Sequence, residues 1–274
     1  MVDLATQYQA MKSDIDSAIQ EVLDSSAYIG GPGIQRFQKS LESYLGANHV
    51  IPCANGTDAL QIAMMALGLK PGDEVITPSF TYIATTEVIA LLGLTPVFVD
   101  VDPKTFCIDP SKIEAAITPK TKVIVPVHLY GQACDMEAIM EIANKHKLFV
   151  IEDNAQAIGS DYYFKNGEVK KLGTIGTIGC TSFFPSKNLG CYGDGGAIYT
   201  NDDKLAELCK SIRVHGKGDK GKYSNVRIGL NSRLDTIQAA ILLPKLKALK
   251  TYERDARQKV AQRYNAAFEN MFTT

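Results

Sequence analysis

Apolar residues recur at Met11, Ile15, Ile19, Val22 and Leu23, the spacing of one helical face, before Gly30-Gly31-Pro32-Gly33 interrupts the chain. A second amphipathic stretch follows as far as Leu45, and the two together read as an N-terminal arm lying across a larger body. From Ile51 onward short apolar runs alternate with helical patterns. Glu74 to Thr77, Pro96 to Val99, Lys122 to Val127 and Leu148 to Glu152 read as strands, and Asp58 to Leu67, Ile83 to Leu92, Ser111 to Ile117 and Met136 to His146 as helices. Strands apolar on both faces and separated by crossover helices predict a mainly parallel sheet in an α/β layered domain.

The rhythm changes after Asp153. Gly176 to Phe183 and Gly196 to Thr200 read as two further strands, followed by a helix from Asp202 to Arg213. A glycine- and lysine-rich loop, His215 to Ser224, leads to a long helical region that starts at Ser232, is expected to bend near Pro244 and continues to about Phe268 with nothing to pack on. The nearest thing to a linker is Pro244 to Arg254.

Composition narrows the function classes. A chain of 274 residues, 45% hydrophobic, can bury a sizeable core. Its 29 basic and 30 acidic residues nearly cancel, so no field of one sign suggests nucleic acid or an anionic membrane as partner, and an anionic ligand must be met by local groups. The apolar stretch Val88 to Val99 falls short of the ~20 residues a membrane span needs. The first residues lack the basic and apolar regions of a signal peptide, and a soluble cytoplasmic protein is expected. Six cysteines form no Cys-x-x-Cys pair and four histidines share no ligand spacing with them, so reduced thiols and no metal site are expected.

Candidate chemistry gathers around Lys187, in Thr-Ser-Phe-Phe-Pro-Ser-Lys-Asn-Leu-Gly-Cys-Tyr-Gly-Asp-Gly-Gly (Thr181 to Gly196), downstream of the strand that ends Phe-Val-Ile-Glu-Asp at Asp153. An amine, a strand-end carboxylate and glycine-rich turns are the parts needed to hold pyridoxal 5′-phosphate (PLP), which requires a Schiff-base lysine, a partner for its ring nitrogen and a phosphate anchor. A carboxylate at the carboxyl end of a buried parallel strand sits where open α/β sheets bind ligands, although an Asp there also serves to cap the next helix. Gln156, on the same turn, can face the ring hydroxyl. Ala54-Asn55-Gly56-Thr57-Asp58 runs from a short strand into a helix whose free N–H groups suit a phosphate; it is also the pattern of a plain turn and N-cap. Ser182 and Ser186 can add phosphate donors, and Tyr82, just after a strand, can stack on a flat ring or simply pack. Taken alone, Lys187 would read as a solvated surface group.

At these residues the sequence resembles the PLP-dependent nucleotide-sugar aminotransferases of fold type I, and within them most the enzymes that aminate C3 of UDP-2-acetamido-2-deoxy-3-oxo-glucuronate. The likeness runs from about Leu4 to Phe268, with Ala54 to Leu60, Pro71 to Thr85, Pro126 to Gln132, Thr181 to Thr200 and Gly229 to Leu246 as its specific stretches. It implies a large domain with a mainly parallel seven-stranded sheet between helices. It divides the chain into an arm (1–30), the PLP-binding domain (31–243) and the start of a smaller C-terminal domain (244–274) that is largely absent. By the resemblance Lys187 is the cofactor lysine and Asp153 the ring-nitrogen partner. Tyr82 stacks, Gly56, Thr57 and Ser182 hold the phosphate, and Gln156 contacts the ring oxygen. Asn231 reaches the phosphate bound by a neighbouring subunit, which makes the active site that of a homodimer. Lysine rather than histidine at 187 separates transaminases from related sugar dehydratases. L-Glutamate is the implied amino donor, a nucleotide-linked ketosugar the acceptor, and synthesis of surface polysaccharide such as lipopolysaccharide O-antigen the setting. If Asn231 to Arg233 is extended, Arg233 shares a face with Asn231 and can bind a substrate carboxylate, with a salt bridge to Asp235 as the competing use. A neutral 3-keto or 4-keto hexose, or a non-catalytic dimerisation module, are the alternatives.

Overall fold

The computed structural model describes residues 3–221, 223–269 and 271. Two helices come first, α1 (Leu4–Ser25) and α2 (Pro32–Leu45). Strands and helices then alternate: β1 (His49–Cys53), α3 (Gly56–Ala66), β2 (Glu74–Pro78), α4 (Ala84–Leu91), β3 (Thr95–Val99), α5 (Pro110–Ile113), β4 (Thr121–Ile124), α6 (Met136–His146) and β5 (Phe149–Asp153). A small hairpin, β6 (Asp161–Tyr163) and β7 (Val169–Lys171), precedes β8 (Ile178–Ser182), β9 (Gly196–Thr200) and α7 (Asp203–Ile212). Last come α8 (Thr236–Ala248), a π-helical turn (Leu249–Glu253) and α9 (Arg254–Phe268).

Seven strands form one sheet in the order β1-β9-β8-β5-β4-β2-β3. Strands β3, β2, β4, β5 and β8 are mutually parallel, while β9 runs antiparallel to both β8 and β1. The expected α/β architecture is therefore present, and the strand residues show why. Val75, Val123 and Ile151 face a core shared with α3 and α7, while their neighbours Ile76, Ile124 and Val150 face a second core shared with α6. Val75, Ile76, Val123, Ile124, Val150 and Ile151 are all buried because successive side chains enter opposite apolar layers.

A third core holds the site in place. Phe37, Leu41 and Leu45 of α2 and Leu242 and Leu246 of α8 pack on Phe183, Leu189 and Cys191, the residues that bracket Lys187. Phe37 meets Phe183 edge to face, with ring centroids 5.5 Å apart. Helix α1 lies against α8 through Met11, Ile15, Ile241 and Ala248.

Two elements depart from the sequence expectations. The β6–β7 hairpin has no apolar alternation to announce it, and its strands are largely exposed. The helix expected from Ser111 to Ile117 is a single α turn followed by a 3₁₀ turn at Glu114–Ala116. The helical region expected to continue past Pro244 to about Phe268 does so, with Lys245, Leu246, Ala248 and Leu249 buried. Packing of α8 on α1 and α2 outweighs the lost N–H, and the hydrogen-bond pattern changes only at the π turn. From Arg254 to Phe268 every residue is exposed.

The third core should be the most sensitive point of the scaffold. Phe37→Ala is expected to lose about 3–5 kcal/mol in urea denaturation, because the side chain is fully buried, whereas Val260→Ala on exposed α9 should change stability by less than about 0.5 kcal/mol.

Candidate active site

Asp153 is the last residue of β5, and Val127 pairs with it just beyond β4. Its N–H donates to the Pro126 carbonyl at 2.9 Å and its carbonyl accepts from the His128 N–H at 3.1 Å, which fixes the backbone on both sides. The side chain is buried. Oδ2 accepts from the Thr85 hydroxyl at 2.8 Å and Oδ1 from the Ala155 N–H at 3.1 Å. Burial pushes the Asp153 pKa up, opposed by these two hydrogen bonds and by the positive charge of Lys187.

Lys187 is half-buried in the segment between β8 and β9. Its N–H donates to the Phe184 carbonyl at 2.8 Å in a tight turn that Gly190 completes: a Cβ there would lie 2.4 Å from the Pro185 carbonyl oxygen. Burial pushes the amine's pKa down and the Asp153 charge acts against that, so each group lies within the other's electrostatic reach.

Helix α3 supplies the anion end. Asn55 caps it, its side-chain oxygen accepting from the Asp58 N–H at 2.8 Å. The N–H groups of Gly56 and Thr57 have no protein partner among the described residues. Gly56 is needed for close approach, since a Cβ there would lie 2.7 Å from the Ser182 Cβ. The first turn of an 11-residue helix therefore opens beside the hydroxyls of Thr57 and Ser182, the setting in which backbone donors and the helix dipole favour a phosphate.

Gln156 lies on the turn after Asp153. Its side-chain oxygen accepts from the Tyr130 N–H at 2.7 Å, leaving the amide NH₂ without a protein acceptor among the described residues. The Asn188 amide donates to the Gln156 carbonyl at 3.3 Å, which ties this turn to the Lys187 segment. Ser232, fully buried, accepts from the Ala54 N–H at 3.1 Å and pins Asn231 to Arg233 beside the α3 turn. Burial alternates along that segment: Ser232 and Leu234 are buried, Asn231 is exposed and Arg233 half-buried, so the last two share the outward face. Arg233 makes no ion pair among the described residues, and the competing bridge to Asp235 is not formed. Arg213 lies near enough to feel its charge; burial pushes Arg213's pKa down and Arg233 adds to the effect, while the Arg213 guanidinium donates to the Pro52 carbonyl.

Gly56, Thr57, Ser182, Asp153, Gln156 and Lys187 thus converge along the ends of α3, β5 and β8. Tyr82, Asn231 and Arg233 stand at the margin, joined to the others by no hydrogen bond; Tyr82 is 71% exposed. The stretch from His215 to Ser224 is less free than a solvated loop. The Lys217 carbonyl accepts from Ser211, the His215 N–H donates to Leu230, and Gly218 and Ser224 close a turn at 2.7 Å; Lys222 lies outside the described residues. A surface cleft of about 920 Å³ between this stretch and α7 is lined by none of the site residues.

Thr85 was not singled out by the sequence, being visible only as the end of Ser-Phe-Thr-Tyr-Ile-Ala-Thr. His128, which precedes Leu-Tyr-Gly in a strand-end turn, reads from the sequence as a satisfied structural histidine; its partner Glu152, fully buried like it, leaves β5 on the opposite face from Asp153. His128 Nδ1 accepts from the Cys134 N–H at 3.2 Å, which assigns the ring proton to Nε2, donated to Glu152 at 2.9 Å. Glu152 also accepts from the N–H groups of Gly173, Ile175 and Gly176. Burial would push its pKa up, yet His128 and these N–H groups hold it below the usual carboxylate value. His128 is a structural histidine. Among the described residues no cluster of side chains could hold a metal ion, and all six cysteines are free and buried.

The donor set fits PLP: a buried carboxylate for a ring-nitrogen cation, an amine of depressed pKa, an open helix start for the phosphate and an unused amide for the ring oxygen. Comparison with known proteins agrees. The DegT/DnrJ/EryC1/StrS aminotransferase family model matches residues 9–274. The UDP-2-acetamido-2-deoxy-3-oxo-D-glucuronate aminotransferase of Pseudomonas aeruginosa is 53% identical over 98% of this chain and 73% of its own length. The crystal structure of a DegT DnrJ EryC1 StrS aminotransferase from Brucella abortus superposes with a TM-score of 0.94 at 47% identity, covering 98% of this chain and 72% of that one. NtdA from Bacillus subtilis, solved with bound cofactor PMP, gives 0.87 at 42% identity over 95% of this chain and 59% of that one. The chain belongs to the DegT/DnrJ/EryC1/StrS aminotransferases and is a PLP-dependent enzyme.

Proposed function

We propose that the chain transfers an amino group from L-glutamate to C3 of UDP-2-acetamido-2-deoxy-3-oxo-glucuronate. The observation that carries the chemistry is the buried Asp153 carboxylate facing half-buried Lys187 beside the open first turn of α3. The substrate named for the Pseudomonas aeruginosa relative supports the ketouronate. A uronate brings a carboxylate beside its diphosphate, and Arg233, without an ion pair among the described residues, is the cation proposed to meet it.

Bound pyridoxal phosphate supplies an electron sink for the charge that develops at the reacting carbon. Lys187 would hold the cofactor through its aldehyde and would serve as the base and acid that carries a proton to and from the donor's Cα. Burial suits it to that work, since a lowered pKa leaves more free amine at neutral pH. Asp153 would keep the ring nitrogen protonated, Gln156 would offer its amide to the ring oxygen, and Tyr82 would cover a ring face. Gly56, Thr57 and Ser182 hold the phosphate, completed by Asn231 of a second copy in a homodimer. The enzyme works in the cytoplasm, in the synthesis of a surface polysaccharide such as lipopolysaccharide O-antigen, and residues 244–274 are the start of a smaller C-terminal domain.

Incubation of the purified chain with PLP, L-glutamate and the UDP-3-ketouronate should yield 2-oxoglutarate and a product of the 3-amino sugar's mass. Lys187→Ala is expected to lower turnover about 10²–10⁴-fold while leaving the fold intact by circular dichroism. Arg233→Ala should lose selectivity for the uronate over neutral ketosugars; unchanged selectivity rejects the assigned contact.

Asp153 gives a pH-dependent test. Its folded pKa is raised, so the stability linked to its protonated form is fully present below about pH 4 and is lost as pH rises through the folded value. Asp153→Asn without cofactor should therefore melt higher than the parent chain at pH 7, with the gain shrinking toward pH 4, while transamination is lost.

A further inference from the structure

Thr85 is buried at 1% exposure in the first turn of α4, and its hydroxyl reaches across to Asp153 Oδ2 at 2.8 Å. The other donor to this carboxylate is the Ala155 N–H, on Oδ1. The Ala155 bond belongs to the turn that Asp153 itself begins, so it moves with the carboxylate's own segment. Thr85 belongs to a different crossover, the one that carries Tyr82 three residues earlier. Its hydroxyl is thus the one long-range side-chain hydrogen bond to Asp153 among the described residues.

We infer that Thr85 is a positioning residue for the cofactor: its hydroxyl fixes the rotamer of Asp153, so that one lone pair of the acid is aimed at the ring nitrogen. The inference rests on the proposed role of Asp153. A carboxylate in a buried site has two ways to lower its cost, rotation toward another donor or uptake of a proton, and either removes the anion a ring-nitrogen cation needs. The Thr85 hydroxyl opposes both. It also couples two sides of the proposed site, because the loop that bears Tyr82 cannot move away from β5 without breaking the Thr85–Asp153 bond. The β-branched side chain suits the task, since few χ1 rotamers are open to it and the methyl can pack while the hydroxyl points at the acid.

The test uses Thr85→Val, which keeps the shape and removes the donor, and Thr85→Ser, which restores it. PLP affinity is measured by absorbance titration of the cofactor-free chain, and the absorbance of the loaded enzyme is followed against pH. Thr85→Val should weaken PLP binding about tenfold, the size of one hydrogen bond to a charged group, and displace the pH at which the bound cofactor's spectrum changes. Thr85→Ser should return both to within about twofold of the parent. In an Asp153→Asn background the same Val substitution should have little further effect. Unchanged affinity and pH profile in Thr85→Val, a Ser variant as impaired as Val, or losses that simply add to those of Asp153→Asn would each overturn the inference while leaving the aminotransferase reading intact. If Thr85→Val does not fold, as judged by circular dichroism, Thr85→Ala is read by the same criteria. Failure of the parent chain to bind PLP at all would sink both readings together.

Discussion

Burial of the Asp153 carboxylate at the end of β5 is the constraint around which the site is arranged. A charge removed from water is costly unless donors or an opposite charge replace the lost hydration, and here Thr85, the Ala155 N–H and Lys187 do so only in part. Desolvation moves both ionisable groups toward neutrality, the acid upward and the amine downward. A site in that condition favours a ligand that brings its own cation next to the acid, and a protonated pyridine ring is such a ligand. The same desolvation pushes the Lys187 pKa down, which enlarges its fraction of free amine.

Strand geometry separates two neighbouring acids into different tasks. Glu152 and Asp153 are adjacent, so their side chains leave β5 on opposite faces. Glu152 is surrounded by His128 and three backbone N–H groups, which satisfies its charge and fastens the 173–176 turn to the sheet. Asp153 keeps capacity unused on the other face. Asn154, the first residue after the strand, donates its amide to the Leu172 carbonyl at 3.0 Å, which gives the polar residue in that turn a structural use. The platform beneath Asp153 is thereby stiff before any ligand binds.

The Lys187 segment draws its rigidity from elsewhere. Phe183, Leu189 and Cys191 sit in the core built by α2 and α8, two helices far from it in the chain, and the Asn188 amide reaches the Gln156 and Ile158 carbonyls. Helix α8 in turn carries α1 on its other side through Met11 and Ile15. Loss of packing in this layer would therefore reach the site by displacing the lysine, with no change in any polar group.

Much of the fold was legible from local pattern. Apolar runs such as Val-Ile at 75–76, Val-Ile at 123–124 and Val-Ile at 150–151 have no polar alternation because both faces of the sheet are covered, and that signature does not depend on distant residues. The site candidates were also visible as residue types at strand ends and at a helix start, since Asn55, Gly56 and Asp153 are set by turn and cap chemistry within a few positions. The charged, exposed β6–β7 hairpin was not visible, because it has no apolar period. Likewise, adjacent Glu152 and Asp153 look alike in a chain. Only the tertiary structure decides that one acid is satisfied by His128 and the other faces Thr85 and Lys187, because hydrogen-bond partners and desolvation come from segments dozens of residues away.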